Sequence, residues 1–255
     1  MVDLIHFLSP EYWGVAICVA MFAGIVKGTV GFGMPMVLIS GLSMIVAPDI
    51  ALAGLILPTV FSNVTQALRQ GVTAARASIS RFRWFLMVGG VFLLASSQLT
   101  TKISTALLLG GLGVMIVMFS TLQLMGWRIP VHRSPRRAEI TMGAVAGFVG
   151  GLSGVWGPPT VALLTALDTE KREQIRVQGV VYGLGAIALV AGHSVSGILN
   201  QSTVVFSAVL VLPAMIGMRI GTMLQDRIDQ GTFKKTTLIL LLIAGANLMR
   251  RAWFS

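Results

Sequence analysis

The sequence predicts an all-α membrane protein of two inverted-topology repeats, each a broken helical hairpin plus about three transmembrane helices. Three observations lead there: too little charge to coat a globule, a glycine–proline pattern that occurs twice, and a one-sided distribution of lysine and arginine. The first repeat is expected at 1–126, a basic cytoplasmic linker at 127–139 and the second repeat at 140–255.

Of 255 residues, 55% are hydrophobic and 11% charged. A soluble domain carries about 25% charged residues, so lipid is the expected solvent for much of this surface. Apolar stretches such as Trp84–Gln98, Thr105–Met125, Thr203–Gly221 and Thr237–Met249, some extended by polar flanks, approach the ~20 residues that cross a bilayer. In hydrocarbon the backbone must satisfy itself, so they are helices. Asp3 and Glu11 precede the first apolar run where a signal peptide would be basic, so that run is expected to be retained. A net charge of +10 would suggest nucleic acid in a soluble chain. Here the cations sit mostly in short loops, as membrane topology requires, and nucleic acid is not an expected partner. Cys18 is the one cysteine, which leaves no internal disulfide and no redox motif.

The repeat is visible in the glycines. Gly24, Gly28, Gly31 and Pro35 recur as Gly147, Gly151, Gly154 and Pro158, all at an offset of 123. In each half the pattern interrupts the first apolar stretch, as in the discontinuous helices of transporters. The arms after the breaks, Met36–Ala47 and Pro159–Leu167, are too short to cross at about 1.5 Å per residue. Each broken element is then a kinked crossing or a hairpin that returns to its starting side. With hairpins, the cytoplasmic segments hold 14 of the loop cations and only Lys102, Arg250 and Arg251 fall outside. With single crossings the split is 10 to 7. Positive charge collects on the cytoplasmic side, so hairpins are expected, with both termini outside. Tyr12, Trp13, Trp84, Trp127 and Trp253 flank apolar runs, where interfacial belts place them; Trp156 instead falls inside the second break.

All nine acidic residues lie in loops or at segment ends, whereas Lys27 and Arg219 lie within apolar stretches. A charge at mid-membrane costs about 2.5–3.5 kcal/mol on insertion scales and normally faces a partner or a polar cavity. With no carboxylate in the spans, a transported anion is the expected counter-charge. For Lys27 the alternative is helix-end packing or snorkelling. For Arg219, near the end of its span, it is snorkelling to the headgroups. Gly31–Pro35 and Gly154–Pro159 are expected to be non-helical. The chain restarts as a half-helix after Pro35 and again after Pro158/Pro159, where each restart exposes free N–H groups, a ready anion site. Gly28, Gly31 and Gly33 in one half, and Gly151, Gly154 and Gly157 in the other, permit close backbone approach. Ser153 and Thr160 add hydroxyls. The alternative for these glycines is helix packing alone. Asn63 and Gln66, with Tyr182 and His193 in the later half, are further candidates or interhelical glue. His193 is also a candidate for proton coupling.

The run Lys27-Gly-Thr-Val-Gly-Phe-Gly-Met-Pro35, with Pro48-Asp49 after it, and the run Gly147-Phe-Val-Gly-Gly-Leu-Ser-Gly-Val-Trp-Gly-Pro-Pro159 resemble the two signatures of the TauE/SafE sulfite-exporter family. The resemblance covers nearly the whole chain. It implies a multi-pass permease of the bacterial inner membrane that moves sulfite or an organosulfonate such as sulfoacetate, by alternating access between the repeats. It marks the two breaks and their flanks, Trp156 included, as the transport site. The expected partners are a small anion and the bilayer, with a homodimer as a further option. No catalytic residue, metal or cofactor is expected. Two other readings stay open. One is an uncoupled anion channel. The other is an intramembrane protease, because Gly151-Leu-Ser153-Gly154 followed by His193 resembles the serine–histidine dyad of rhomboids.

Overall fold

The computed structural model describes residues 10–97, 105–126, 135–153, 157–195 and 198–253. Among these every regular element is a helix: α1 Pro10–Val30, α2 Met34–Leu42, α3 Pro48–Leu68, α4 Val72–Arg81, α5 Arg83–Ser97, α6 Thr105–Leu124, α7 Pro135–Ser153, α8 Gly157–Ala166, α9 Lys171–Val195, α10 Gln201–Arg227 and α11 Gln230–Trp253. Among the described residues, four stretches, Glu11–Val30, Ile50–Leu68, Gln201–Arg227 and Gln230–Trp253, are long and apolar enough to cross a membrane. The bent pair α4–α5, which turns by 71°, adds a fifth if it counts as one span. Large apolar side chains such as Phe22, Val91, Leu94, Leu212 and Ile243 point outward, as lipid contact requires. The expected basic linker lies mostly outside the described residues; its end forms the first turn of α7.

The chain forms two compact units. One takes Met1–Ala75 and Ile175–Asp229, the other Arg76–Gln174 and Gln230–Ser255. Each unit therefore combines helices from both ends of the sequence.

In the first unit, glycine lets α1 and α10 touch backbone to backbone. A methyl group at Gly24 or Gly28 would overlap the carbonyl oxygen of Ala214 or Met218, and one at Gly217 or Gly221 would overlap that of Met21 or Ile25. The two Gly-x3-Gly motifs face each other in parallel, the close packing that small residues allow in membranes. Helix α2 returns along α1. The side chain of Val19, twelve residues before Gly31, leaves no room for a Cβ at Gly41, ten residues after it. Ala16, Ala20, Leu38, Leu42, Leu55 and Leu210 join this hairpin to α3 and α10 in one apolar core.

Helix α3 runs parallel to α10, and two prolines mark their interiors, Pro58 and Pro213. Pro58 has no N–H, which frees the carbonyl of Gly54. The Ser207 hydroxyl donates to that carbonyl at 3.2 Å and accepts from the N–H of Leu57 at 3.0 Å. Helix α9 runs the other way, since Gln178 and Tyr182 face Gly31 and Lys27 respectively.

In the second unit, α7 packs on α5 as α1 does on α10. A methyl at Gly147 would overlap the carbonyl of Gly89, and one at Gly143 would press on the backbone of Phe85. Gly113 and Gly245 similarly bring α6 and α11 together, antiparallel. Helix α8 packs against α7, α6 and α11.

Both short helices begin earlier than the sequence suggests. Gly31–Pro35 and Gly154–Pro159 are expected to be non-helical, yet α2 starts at Met34 and α8 at Gly157, with Pro35, Pro158 and Pro159 already helical. The reason is that first-turn N–H groups have no intrahelical acceptor, so proline costs nothing there. The first break thus shrinks to Gly31, Phe32 and Gly33, with φ of +88° at Gly31 and +91° at Gly33. The left-handed region suits glycine.

Candidate functional site

The break in the first unit places a helix end and a helix start side by side. Lys27 lies in the last turn of α1, where a cation favours the helix dipole. Its side chain is 1% exposed. The ammonium donates to Asn63 Oδ1 at 2.5 Å and lies 5.8 Å from the centre of the Tyr182 ring. None of the ion pairs among the described residues involves Lys27, so its charge is met by an amide oxygen and a ring face rather than by a carboxylate.

One turn on, the free carbonyls that end α1 are capped from two sides. Gln66 Nε2 donates to the Gly31 carbonyl at 3.0 Å. With its nitrogen turned toward the same group, the Gln178 amide donates to Gly31 at 2.8 Å and to Val30 at 3.3 Å. The start of α2 has no such cap among the described residues: its N-cap is Gly33, which makes no side-chain cap hydrogen bond. Helix α3 contributes a polar stripe at helical spacing, Thr59, Ser62, Asn63 and Gln66, all buried. Ser62 bonds to the Thr59 carbonyl and the Met34 sulfur. Thr59 Oγ1, Asn63 Nδ2 and Gln66 Oε1 are buried with no hydrogen-bond partner among the described residues. Buried polar atoms are normally paired. The Thr59 hydroxyl and the Asn63 amide nitrogen are donors, so together with the enclosed Lys27 they make a place where a small anion would satisfy several groups at once. Gln66 Oε1 is instead an acceptor that an anion would not serve. At its far end the stripe meets Arg69, which donates to Gln225 at 2.7 Å and forms a two-pronged ion pair with Asp226 at 2.9 and 2.7 Å.

Of the residues singled out in the sequence, Lys27, Gly28, Gly31, Gly33, Pro35, Asn63, Gln66 and Tyr182 belong to this unit. All but Gly28, whose contacts are with α10, are at the break or beside it. Arg219 does not join them. It is exposed on the side of α10, two turns before the helix ends, because its neighbours Met218 and Gly221 take the face toward α1. Gly157, Pro158 and Thr160 start α8 in the other unit, where Pro158 and Thr160 are buried. Ser153 ends α7 and His193 lies in α9, but their side chains, with Gly154 and Trp156, fall outside the described residues.

Gln178, Thr59 and Ser62 are participants that the sequence reading missed. Gln178 carried a signal: it sits one turn before Tyr182, on the same face of α9. It was obscured by the polar run Lys171–Arg176, which reads as a loop but forms the first turns of that helix.

The family model described as Sulfite exporter TauE/SafE matches residues 16–248. No curated protein and no solved structure gives a significant match. The family is one of transporters rather than enzymes, so a protease built on Ser153 and His193 is set aside.

Proposed function

We propose, for a chain that belongs to the sulfite exporter TauE/SafE family, that it moves a small sulfur oxyanion or organosulfonate across the bacterial inner membrane, with Lys27 as the direct counter-charge. The observation that carries this reading is a fully buried lysine with no carboxylate partner among the described residues, beside unpaired amide and hydroxyl groups. Sulfite and sulfonates share compact, negatively charged oxygens that accept hydrogen bonds. Lys27, the Asn63 amide and the N–H groups at the start of α2 are donors of the matching kind, and bonds to a charged acceptor are roughly twice as strong as neutral ones. Gln66, Gln178 and Tyr182 position this donor set, the two glutamines by fixing the end of α1.

The second break carries the matching half of the machinery in this reading, with Ser153, Gly154, Trp156, Gly157, Pro158 and Thr160 as its residues and His193 nearby. The offset of 123 and the reciprocal packing, α1 on α10 and α7 on α5, support two inverted repeats that alternate access. Arg219, exposed to the bilayer, is assigned to headgroup contact instead of substrate. A homodimer is compatible with this scheme and is not required by it.

Counterflow in proteoliposomes tests the function. Vesicles preloaded with unlabelled sulfite should transiently concentrate labelled sulfite from outside, because a carrier exchanges. Sulfite entry without that overshoot would indicate an uncoupled channel. No movement of sulfite or any sulfonate would end the proposal.

A further inference from the structure

The second unit contains a concentration of positive charge that the transport site does not use. Helix α5 begins at Arg83 and α7 places Arg136 and Arg137 in its first turn. The Arg83 and Arg136 guanidinium groups lie 5.6 and 4.0 Å from the centre of the same ring, Trp84. Both distances run to one point, so the two charges are within about 10 Å of each other, roughly one Debye length at 0.1 M salt. Glu139, one turn after Arg136 on α7, is already engaged: it is 2% exposed and pairs with Arg81. Neither α5 nor α7 has an acidic residue in its first turn, although helix starts carry positive potential and favour anions. Two cations at two helix starts, stacked on one indole, form an arrangement that an external anion would stabilise.

The surroundings indicate what kind of anion. Beyond Arg83 the helix continues uncharged from Trp84 to Ser97, and beyond Glu139 from Ile140 to Ser153. The arginines therefore sit where the apolar part of each helix ends, at headgroup level, with an interfacial tryptophan between them. Helix α4, which meets α5 at 71°, exposes Val72, Arg76 and Ile79 along one face. Apolar and basic residues side by side suit a helix lying in the membrane interface.

We propose that Arg83, Arg136 and Trp84, flanked by α4, bind the phosphate headgroup of an anionic phospholipid. The guanidinium groups hold the phosphate oxygens and Trp84 and the α4 face rest against the acyl-chain boundary. The site is separate from Lys27 and does not depend on the transport reading.

Native mass spectrometry of the full-length, delipidated protein titrated with phosphatidylglycerol or phosphatidylcholine tests this. The parent should retain phosphatidylglycerol preferentially. Arg83→Gln/Arg136→Gln should weaken it by on the order of tenfold or more, since each basic residue near an anionic surface contributes about one decade or slightly less. Phosphatidylcholine binding should not change. Arg83→Lys/Arg136→Lys should keep most of the preference, and single Arg83→Gln serves if the double variant does not fold. Equal retention of both lipids by the parent, or undiminished phosphatidylglycerol binding by the glutamine variants, would overturn the site. Displacement of the lipid by excess inorganic phosphate would also overturn it, by revealing a site for small anions only.

Discussion

At the residue scale, Ser207 shows how an interior proline is accommodated in a membrane helix. Its hydroxyl serves both the Gly54 carbonyl that Pro58 releases and the Leu57 N–H, with the whole side chain buried. Ser207→Ala should cost about 1–3 kcal/mol, the usual penalty for an orphaned buried polar group, and lower the melting temperature of the detergent-solubilised protein. An unchanged melting temperature would show that the freed Gly54 carbonyl is satisfied in another way. Gly31 is held in the left-handed region, and a methyl there would collide with the Gln178 amide. Gly31→Ala should therefore both destabilise the fold and weaken anion binding, because it displaces the clamp that ends α1. Lys27, Asn63 and Gln66 were legible as candidates because polar side chains stand out in apolar stretches. The bonds from Lys27 to Asn63 and from Gln66 to the Gly31 carbonyl were not, since they depend on how α1 and α3 are rotated, which hydropathy does not fix. Ser207 and Gln178 carried even less signal.

At the scale of elements, the glycines sort by what they face. Gly24, Gly28, Gly217 and Gly221 sit where a Cβ would meet backbone atoms of the opposing helix, while Gly14 and Gly90 face open space. Backbone cannot yield as a side chain can, so Gly28→Ala should cost at least the 1–3 kcal/mol typical of overpacking. Gly90→Ala should be nearly neutral or slightly stabilising, as alanine is the better helix former. Equal thermal stability of the two variants would contradict the packing account. The sequence reading assigned the break glycines to both roles, backbone approach and packing. The structure separates them: Gly24 and Gly28 pack, whereas Gly31 and Gly33 turn the chain. The helix starts at Met34 and Gly157 were misplaced by the weight given to proline as a breaker. The arginines of α4 fall among the cations counted in cytoplasmic loops, because they and the two serines Ser78 and Ser80 dilute the apolar pattern there.

For the whole molecule, the directions of α1, α3 and α10 agree within the first unit, with Arg69, Asp226 and Arg227 at one end and Pro10, Pro48 and Gln201 at the other. With positive charge on the cytoplasmic side, the Pro10 end of α1 should lie outside. In a Cys18→Ala background, Arg76→Cys and Arg136→Cys should label from the cytoplasm and Ser255→Cys from outside. A cytoplasmic C-terminus would rule out inverted repeats. Why the two units combine both sequence halves could not be read from the repeat alone, since equal offsets reveal duplication but not which helices pair.

Everything proposed about transport rests on Lys27 meeting an anion, and calorimetric titration of the purified protein with sulfite and a short organosulfonate tests that directly. The parent should bind at least one of them. Lys27→Met, at matched thermal stability, should raise Kd by about tenfold or more, which corresponds to some 1.4 kcal/mol. Unchanged affinity in Lys27→Met, or binding of cations and neutral solutes but no anion by the parent, would contradict the account.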